Sequence, residues 1–224
     1  MQLFPASIRN YLVATMACLC IPGIGALTYM ASLSFQDVRT DMRLANLVEA
    51  DKALLIAGNS IRANRGQAQT AIQAADNPAP VIDKVELANR KDLDAAVARL
   101  GSTALVDRDA LIEAVVRQQK ATDAKFADLR AEAAKPKAER SLAATMPWYN
   151  GVGDIEGALV KAADATSLAV RLANPILADL QNFKSTGWRV RSNYGIQCSV
   201  LRPHIASGKA LEPAQWRAMG ELRG

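Results

Sequence analysis

The chain has 224 residues, half of them hydrophobic but only 5% aromatic, and a formal net charge of +5. That length can hold one membrane segment and one extended domain, with too few large rings to fill a thick globular core. The cations alternate with Asp and Glu and build no dense basic block, which argues against a nucleic-acid surface.

Ala, Leu, Asp, Lys and Arg dominate, and apolar residues recur at three- and four-residue steps, so an all-α chain with almost no strand is expected. Residues 10–36 contain no charged side chain, with Arg9 before them and Asp37, Arg39, Asp41 and Arg43 after them. A bilayer needs about 20 apolar residues, so this run reads as a transmembrane anchor. A bulky residue in Tyr29-Met30-Ala31 spoils the small-x-small pattern of a cleavage site, and the anchor is expected to stay. The division is then a cytoplasmic tail at 1–9, an anchor at 10–36 and an extracytoplasmic helical bundle at 37–224. Of three cysteines, Cys18 and Cys20 lie in the apolar run and Cys198 stands alone, which leaves no disulfide framework and no metal-ligand spacing outside it.

From Phe35 through Val38, Met42, Ala45, Val48, Leu55 and Ile61 the apolar stripe predicts a helix as far as Ala74. Asp76-Asn77-Pro78-Ala79-Pro80 stops it, with Asn77 as a cap for the next helix. That second helix is expected over 81–134, bent at Gly101-Ser102-Thr103. After a break at 135–140, Trp148 and Tyr149 are expected to plug the end of the bundle. A third helical region runs from Ile155 to Ile205, kinked or interrupted at Asn174-Pro175. Ser207-Gly208 turns the chain into a last helix with Pro213 in its first turn. The expectation is a four-helix-type bundle, incomplete because this last helix is cut short.

Two stretches echo each other. Sliding Ile61–Gly66 onto Val190–Gly195 aligns Arg62 with Arg191, Asn64 with Asn193, Gly66 with Gly195 and, further on, Ile72 with Leu201. Self-similarity at a fixed offset predicts two related hairpins. Arg62, Arg65, Arg189 and Arg191 offer guanidinium forks suited to an anion, Asn64 and Asn193 add neutral donors, and Trp188 adds a ring. Gly66 and Gly195 would let a helix or ligand approach closely. No enzyme is expected. His204 has no nucleophile or metal partner in sequence, and Asp92/Asp94 and Asp107/Asp109 point apart on a helix. No catalytic residue, metal or cofactor is assigned.

Asn174-Pro175-Ile176-Leu177-Ala178-Asp179-Leu180, then Lys184, Trp188, Arg191, Gly195 and Ala206-Ser207-Gly208-Lys209-Ala210-Leu211, carry a resemblance. With the anchor, Arg65-Gly66, and Arg140 ahead of Trp148-Tyr149, the chain resembles the amino-terminal sensory region of methyl-accepting chemotaxis proteins, in the long helical alphaproteobacterial form. The resemblance implies a single-pass inner-membrane protein, mostly periplasmic, that homodimerises and signals by ligand-biased helix packing. Asn64 stands where relatives often carry glutamate, and Ile196, Gln197 and Cys198 stand where charges often follow the glycine, so no particular ligand carries over. The second span, linker and signalling coiled coil of that family are missing from 1–224, so an amino-terminal piece of a receptor is expected. The alternatives are a helical stalk for dimerisation or partner binding, or the sensory part of a histidine kinase or diguanylate cyclase.

Overall fold

A computed structural model describes residues 8–208 and 210–221. The tail expected at 1–9 lies outside these apart from residues 8 and 9, as do most side chains of the uncharged run up to residue 20. Among the described residues there are seven α-helices, one 3-10 turn and no strand. The helices are α1 (Ile8–Ala74), α2 (Ala79–Gly101), α3 (Arg108–Asp123), α4 (Phe126–Ala133), α5 (Leu142–Ala173), α6 (Pro175–Ser207) and α7 (Pro213–Glu221). The all-α class expected from composition is what the chain adopts.

The chain divides into two compact units, one up to Ala45 and one from Asn46 onward. In the first, the described side chains from Ile21 to Met42 are exposed all around the helix, including Ile24, Leu27, Met30, Leu33, Phe35 and Val38. Among the described residues no helix is long and apolar enough to cross a membrane.

The second unit is a bundle, and its helix directions follow from the contacts. Asn64 of α1 meets Asn89 of α2 at 2.8 Å, and Ile72 and Ile82 are buried near the turn, so α1 and α2 are antiparallel. At 101–107 the chain reverses completely instead of bending within one long helix. The helix ends at Gly101, and the Thr103 hydroxyl takes up the Leu100 carbonyl at 2.8 Å. The expected helix over 81–134 is therefore three helices, with α3 and α4 separated by a one-turn break at Ala124-Lys125. Asn77 does not cap α2. Pro78 occupies that position, where the missing N–H of Pro80 in the first turn costs nothing.

Reversal at 101–107 gives the bundle its four members, α1, α2, α3 with α4, and α5, so it is complete where an incomplete one was expected. Leu54, Ile61 and Ile72 from α1 meet Ile82, Val85, Leu93 and Leu100 from α2, Val115, Leu129, and Trp148, Ile155 and Leu159 from α5. Each fully buried aliphatic side chain of this kind contributes about 1.5–3 kcal/mol. Trp148 sits within this core, 3% exposed, and does not close its end. The α1 carboxyl terminus is finished by cations from the segment after α4. Arg140 donates to the Ala75 carbonyl at 2.5 Å and to that of Asp76 at 2.8 Å, and Lys137 donates to Ala74 at 2.9 Å.

Asn174-Pro175 does more than kink a helix. Asn174 caps α6 by accepting from the Ile176 N–H at 2.9 Å, Pro175 fills the first turn, and α6 folds back along α5 through Ser167–Gln181 and Arg171–Asn182. None of the described α6 residues joins the apolar core cluster. Helix α6 is a fifth member, laid on α1 and α5 and held largely by polar contacts.

Candidate functional site

Helices α1 and α6 run parallel. Asp51 pairs with Lys184 at one end and Gln69 with Arg202, at 3.3 Å, near the other, and both pairs are separated by 133 positions. The two echoing stretches therefore lie side by side, about one helical turn out of the register in which their sequences align. Each also belongs to a hairpin with a polar tie across it, Asn64 to Asn89 between α1 and α2, and Gln197 to the Met219 carbonyl, at 3.4 Å, between α6 and α7.

The anion site expected from the arginines is already occupied from within the protein. Glu156 of α5, nearly buried, accepts from Arg62 Nη2, and its other oxygen lies 3.8 Å from Arg65 Nη2. Arg62 also donates to the Ser192 hydroxyl at 2.8 Å, while its buried Nε has no hydrogen-bond partner. Arg65 stacks on the Tyr149 ring at 4.6 Å, and Arg62 stands 5.7 Å from the ring centroid of Trp188. The two guanidinium groups share one carboxylate, which leaves an excess of one positive charge.

The remaining expected site residues separate. Asn64 is buried and committed to Asn89 and to Ser60, the latter at 3.2 Å, so it ties helices together and does not face a ligand. Arg191 and Asn193 are exposed on α6. Arginine side chains, not a helix backbone, lie over the two expected glycines. A Cβ on Gly195 would lie 3.4 Å from Arg62 Cδ and Nη1, and one on Gly66 would lie 3.0 Å from Arg202 Nη1. Of the expected set, Trp188 and Arg189 line the space between α1, α5 and α6.

That space is a cavity of about 120 Å³ where α1, α5 and α6 meet. Leu54 and Gly58 from α1, Leu159 and Ala163 from α5, and Lys184 and Trp188 from α6 form its walls. Gly58 lies tight against the indole, since a Cβ there would come within 3.1 Å of Trp188 Cη2 and the ring would have to shift. Asp164 and Arg189, both exposed, add one charge of each sign to the lining, and Ser167 and Ser185 add hydroxyls. Lys184 is fixed by Asp51, whose side chain is buried and whose Oδ1 has no hydrogen-bond partner. Mostly apolar walls with a few convergent polar groups are the ordinary composition of a small-molecule site.

Neither Glu156 nor Asp51 is among the site residues expected from sequence. Both carry a signal: each is a lone acid inside an apolar stripe, Glu156 between Ile155 and Leu159 and Asp51 between Ala50 and Leu54. A buried acid needs a cation or hydrogen-bond donors beside it. Among the described residues no cluster of His, Cys, Asp and Glu is arranged to hold a metal. No family model, curated protein or solved structure matches this chain.

Proposed function

We propose that this chain is the sensory part of a membrane-anchored, chemotaxis-type receptor, with the uncharged run at 10–36 as its anchor and the bundle outside the cytoplasm. The ligand site is the cavity between α1, α5 and α6, and a small molecule with an apolar body and a polar end is its natural occupant. The observation that carries this reading is the attachment of α6. This helix puts no described residue into the apolar core, it meets α1 mainly through Asp51–Lys184, Arg62–Ser192 and Gln69–Arg202, and the cavity lies in that seam. An occupant that touches α6 and α1 together favours one arrangement of the two over another, and a differential affinity for two packings is all that ligand signalling needs. The anchor reading draws support from the exposed apolar side chains of residues 21–42, which surround the helix on every side.

The test is a thermal-shift screen of the whole chain in detergent against amino acids, short carboxylates and small amines. A ligand that binds the folded state raises its melting temperature by mass action. The expected result is a saturable shift that Ala163→Leu, which fills the cavity, abolishes while the unliganded protein stays folded. A shift untouched by Ala163→Leu but lost in Arg62→Ala would return the site to the arginines. A second reading, a non-enzymatic stalk that binds another helix, is favoured by one observation, the row of exposed apolar residues along α6.

A further inference from the structure

Toward the carboxyl ends of α1 and α6, Arg202 borders two hollows, of about 550 Å³ and about 650 Å³, which share Thr70, Ala74 and this arginine. The larger extends to Lys137, in the segment after α4, and to Cys198, Leu201 and Ile205 of α6. Both have the size of a small-molecule site, and neither shares a residue with the cavity beside Trp188. Gly66 makes room for Arg202, since a Cβ there would lie 3.0 Å from Nη1 and 3.2 Å from Nη2, and so the guanidinium rests against the backbone of α1. Its hydrogen bond goes to a neutral acceptor, Gln69 Oε1, at 3.3 Å. Lys137 gives one of its ammonium protons to the Ala74 carbonyl at 2.9 Å and keeps the others. Among the described residues neither cation is paired with a carboxylate, and no Asp or Glu lines either hollow. The last carbonyls of α1, which would repel an anion, are taken up by Lys137 and Arg140.

We propose that the larger hollow is a second ligand site, which takes a small organic anion, a carboxylate or a phosphate ester, with an apolar body. The anionic group pairs with Arg202 and Lys137. A guanidinium seated on a glycine keeps a planar fork of N–H donors that suits either group, while the ammonium supplies a point charge. Gln73 also lines the hollow, and its amide, which makes no hydrogen bond among the described residues, adds a neutral donor. The apolar body lies on Leu201 and on Ile205, which is 76% exposed, and covering these side chains adds affinity in proportion to the area removed from water. Charge selects the occupant. Two cations with no acid beside them reject an ammonium compound of the same shape, and the apolar wall favours an organic anion over a bare inorganic one. Bound there, the anion joins α6 to the segment after α4, which no described hydrogen bond or ion pair does. The site stands whether or not the cavity beside Trp188 binds anything.

The experiment uses the whole chain in a nonionic detergent, with Cys18→Ala and Cys20→Ala so that Cys198 is the one thiol, and with Ala163→Leu filling the other cavity. Phenylacetate and phenyl phosphate are the probes, phenethylamine carries the same ring with the opposite charge, and sulfate lacks an apolar body. Calorimetry reads affinity, and the rate of Cys198 alkylation by iodoacetamide reads position, because that thiol lines the hollow. The expected result is that at least one of the two anions binds and slows alkylation several-fold, while phenethylamine does neither. Arg202→Gln should weaken binding about tenfold and remove the protection, and Lys137→Gln should weaken it less, with helix content unchanged in both. Ala74→Phe, which fills the hollow and keeps both cations, should abolish binding. The proposal is overturned if neither anion binds up to about 10 mM, or if binding leaves Cys198 unprotected or survives Arg202→Gln or Ala74→Phe. Equal binding of phenethylamine overturns the charge assignment, and sulfate binding as tightly as phenyl phosphate overturns the apolar one.

Discussion

Arg62 of α1 and Glu156 of α5 form an ion pair 94 positions apart in sequence, and Arg65 joins it from one turn further along α1. Three nearly buried charges with a net excess of one cation hold α1 against α5 beneath α6. Removing one member of such a group leaves the others stranded, whereas replacing all of them with apolar groups is close to neutral. Glu156→Gln is expected to destabilise the protein by about 3 kcal/mol, and Arg62→Met with Arg65→Met and Glu156→Leu by less than about 1 kcal/mol. Urea unfolding of these variants beside the wild type checks both. Glu156→Gln also vacates an anion site, so sulfate should raise its melting temperature more than that of the wild type.

The tie between Asp51 and Lys184 is asymmetric. Asp51 is buried with Oδ1 already unpartnered, while about a quarter of the Lys184 side chain, 27%, reaches solvent. Lys184→Met strands a buried carboxylate and should cost about 2–3 kcal/mol, while Asp51→Asn leaves an ammonium that can turn to water and should cost about 1 kcal/mol. Hydrogen exchange read along α6 should speed up in both, more in Lys184→Met. Equal effects would mean that α6 is not fastened at this point.

Glu132 links the end of α4 to the start of α5. Its carboxylate accepts from the Ser141 N–H and from Lys135 Nζ, the latter at 2.6 Å, and the Lys135 bond followed by the Ser141 bond hold its pKa below the ordinary glutamate value. A carboxyl with a lowered folded-state pKa adds stability above its unfolded pKa of about 4.3 and loses it as pH falls through the folded value. Wild type should therefore lose stability more steeply than Glu132→Gln below about pH 4.3, and the two should run parallel above about pH 6. Melting temperature followed from pH 7 to pH 3 measures the difference.

Two glycines of α5 should respond in opposite directions to the same substitution. A Cβ on Gly151 would lie 2.6 Å from Thr122 Oγ1 and 3.2 Å from its Cγ2, where α3 and α5 touch and Thr122 is buried. Gly151→Ala should cost about 1–3 kcal/mol through overpacking, and Thr122→Ala should recover much of it. A Cβ on Gly157 would meet nothing within 4 Å, so Gly157→Ala should gain about 0.5–1 kcal/mol from helix propensity. Chemical denaturation of the single and paired variants decides.

Residues whose roles are set within a few neighbours were readable from the sequence: the helical class, the end of α1 at Ala74, the break at Asn174-Pro175 and Pro213 in the first turn of α7. Proline geometry, capping side chains and three-to-four spacing act over one or two turns and need no knowledge of the fold. What the local pattern left open was direction. A Gly-Ser-Thr stretch after Leu100 is compatible with a bend or a reversal, and the burial of Val115 and Leu129 against α5 is what makes it a reversal.

The echo between the stretches at 61–66 and 190–195 was also legible, because it is a property of residue types at an offset. Its chemistry was not, since charge neutralisation is a pairwise quantity: whether Arg62 can receive an external anion depends on Glu156 nearly a hundred positions away. Tertiary packing likewise placed Trp188 over Gly58, opened the cavity beside it and buried Asp51. The amino-acid sequence by itself determined the helices and their ends through short-range sterics and hydrogen bonds. Only the tertiary structure decided which helix faces meet, and with them which charges are cancelled, where space remains and which apolar stripe on α6 is left uncovered.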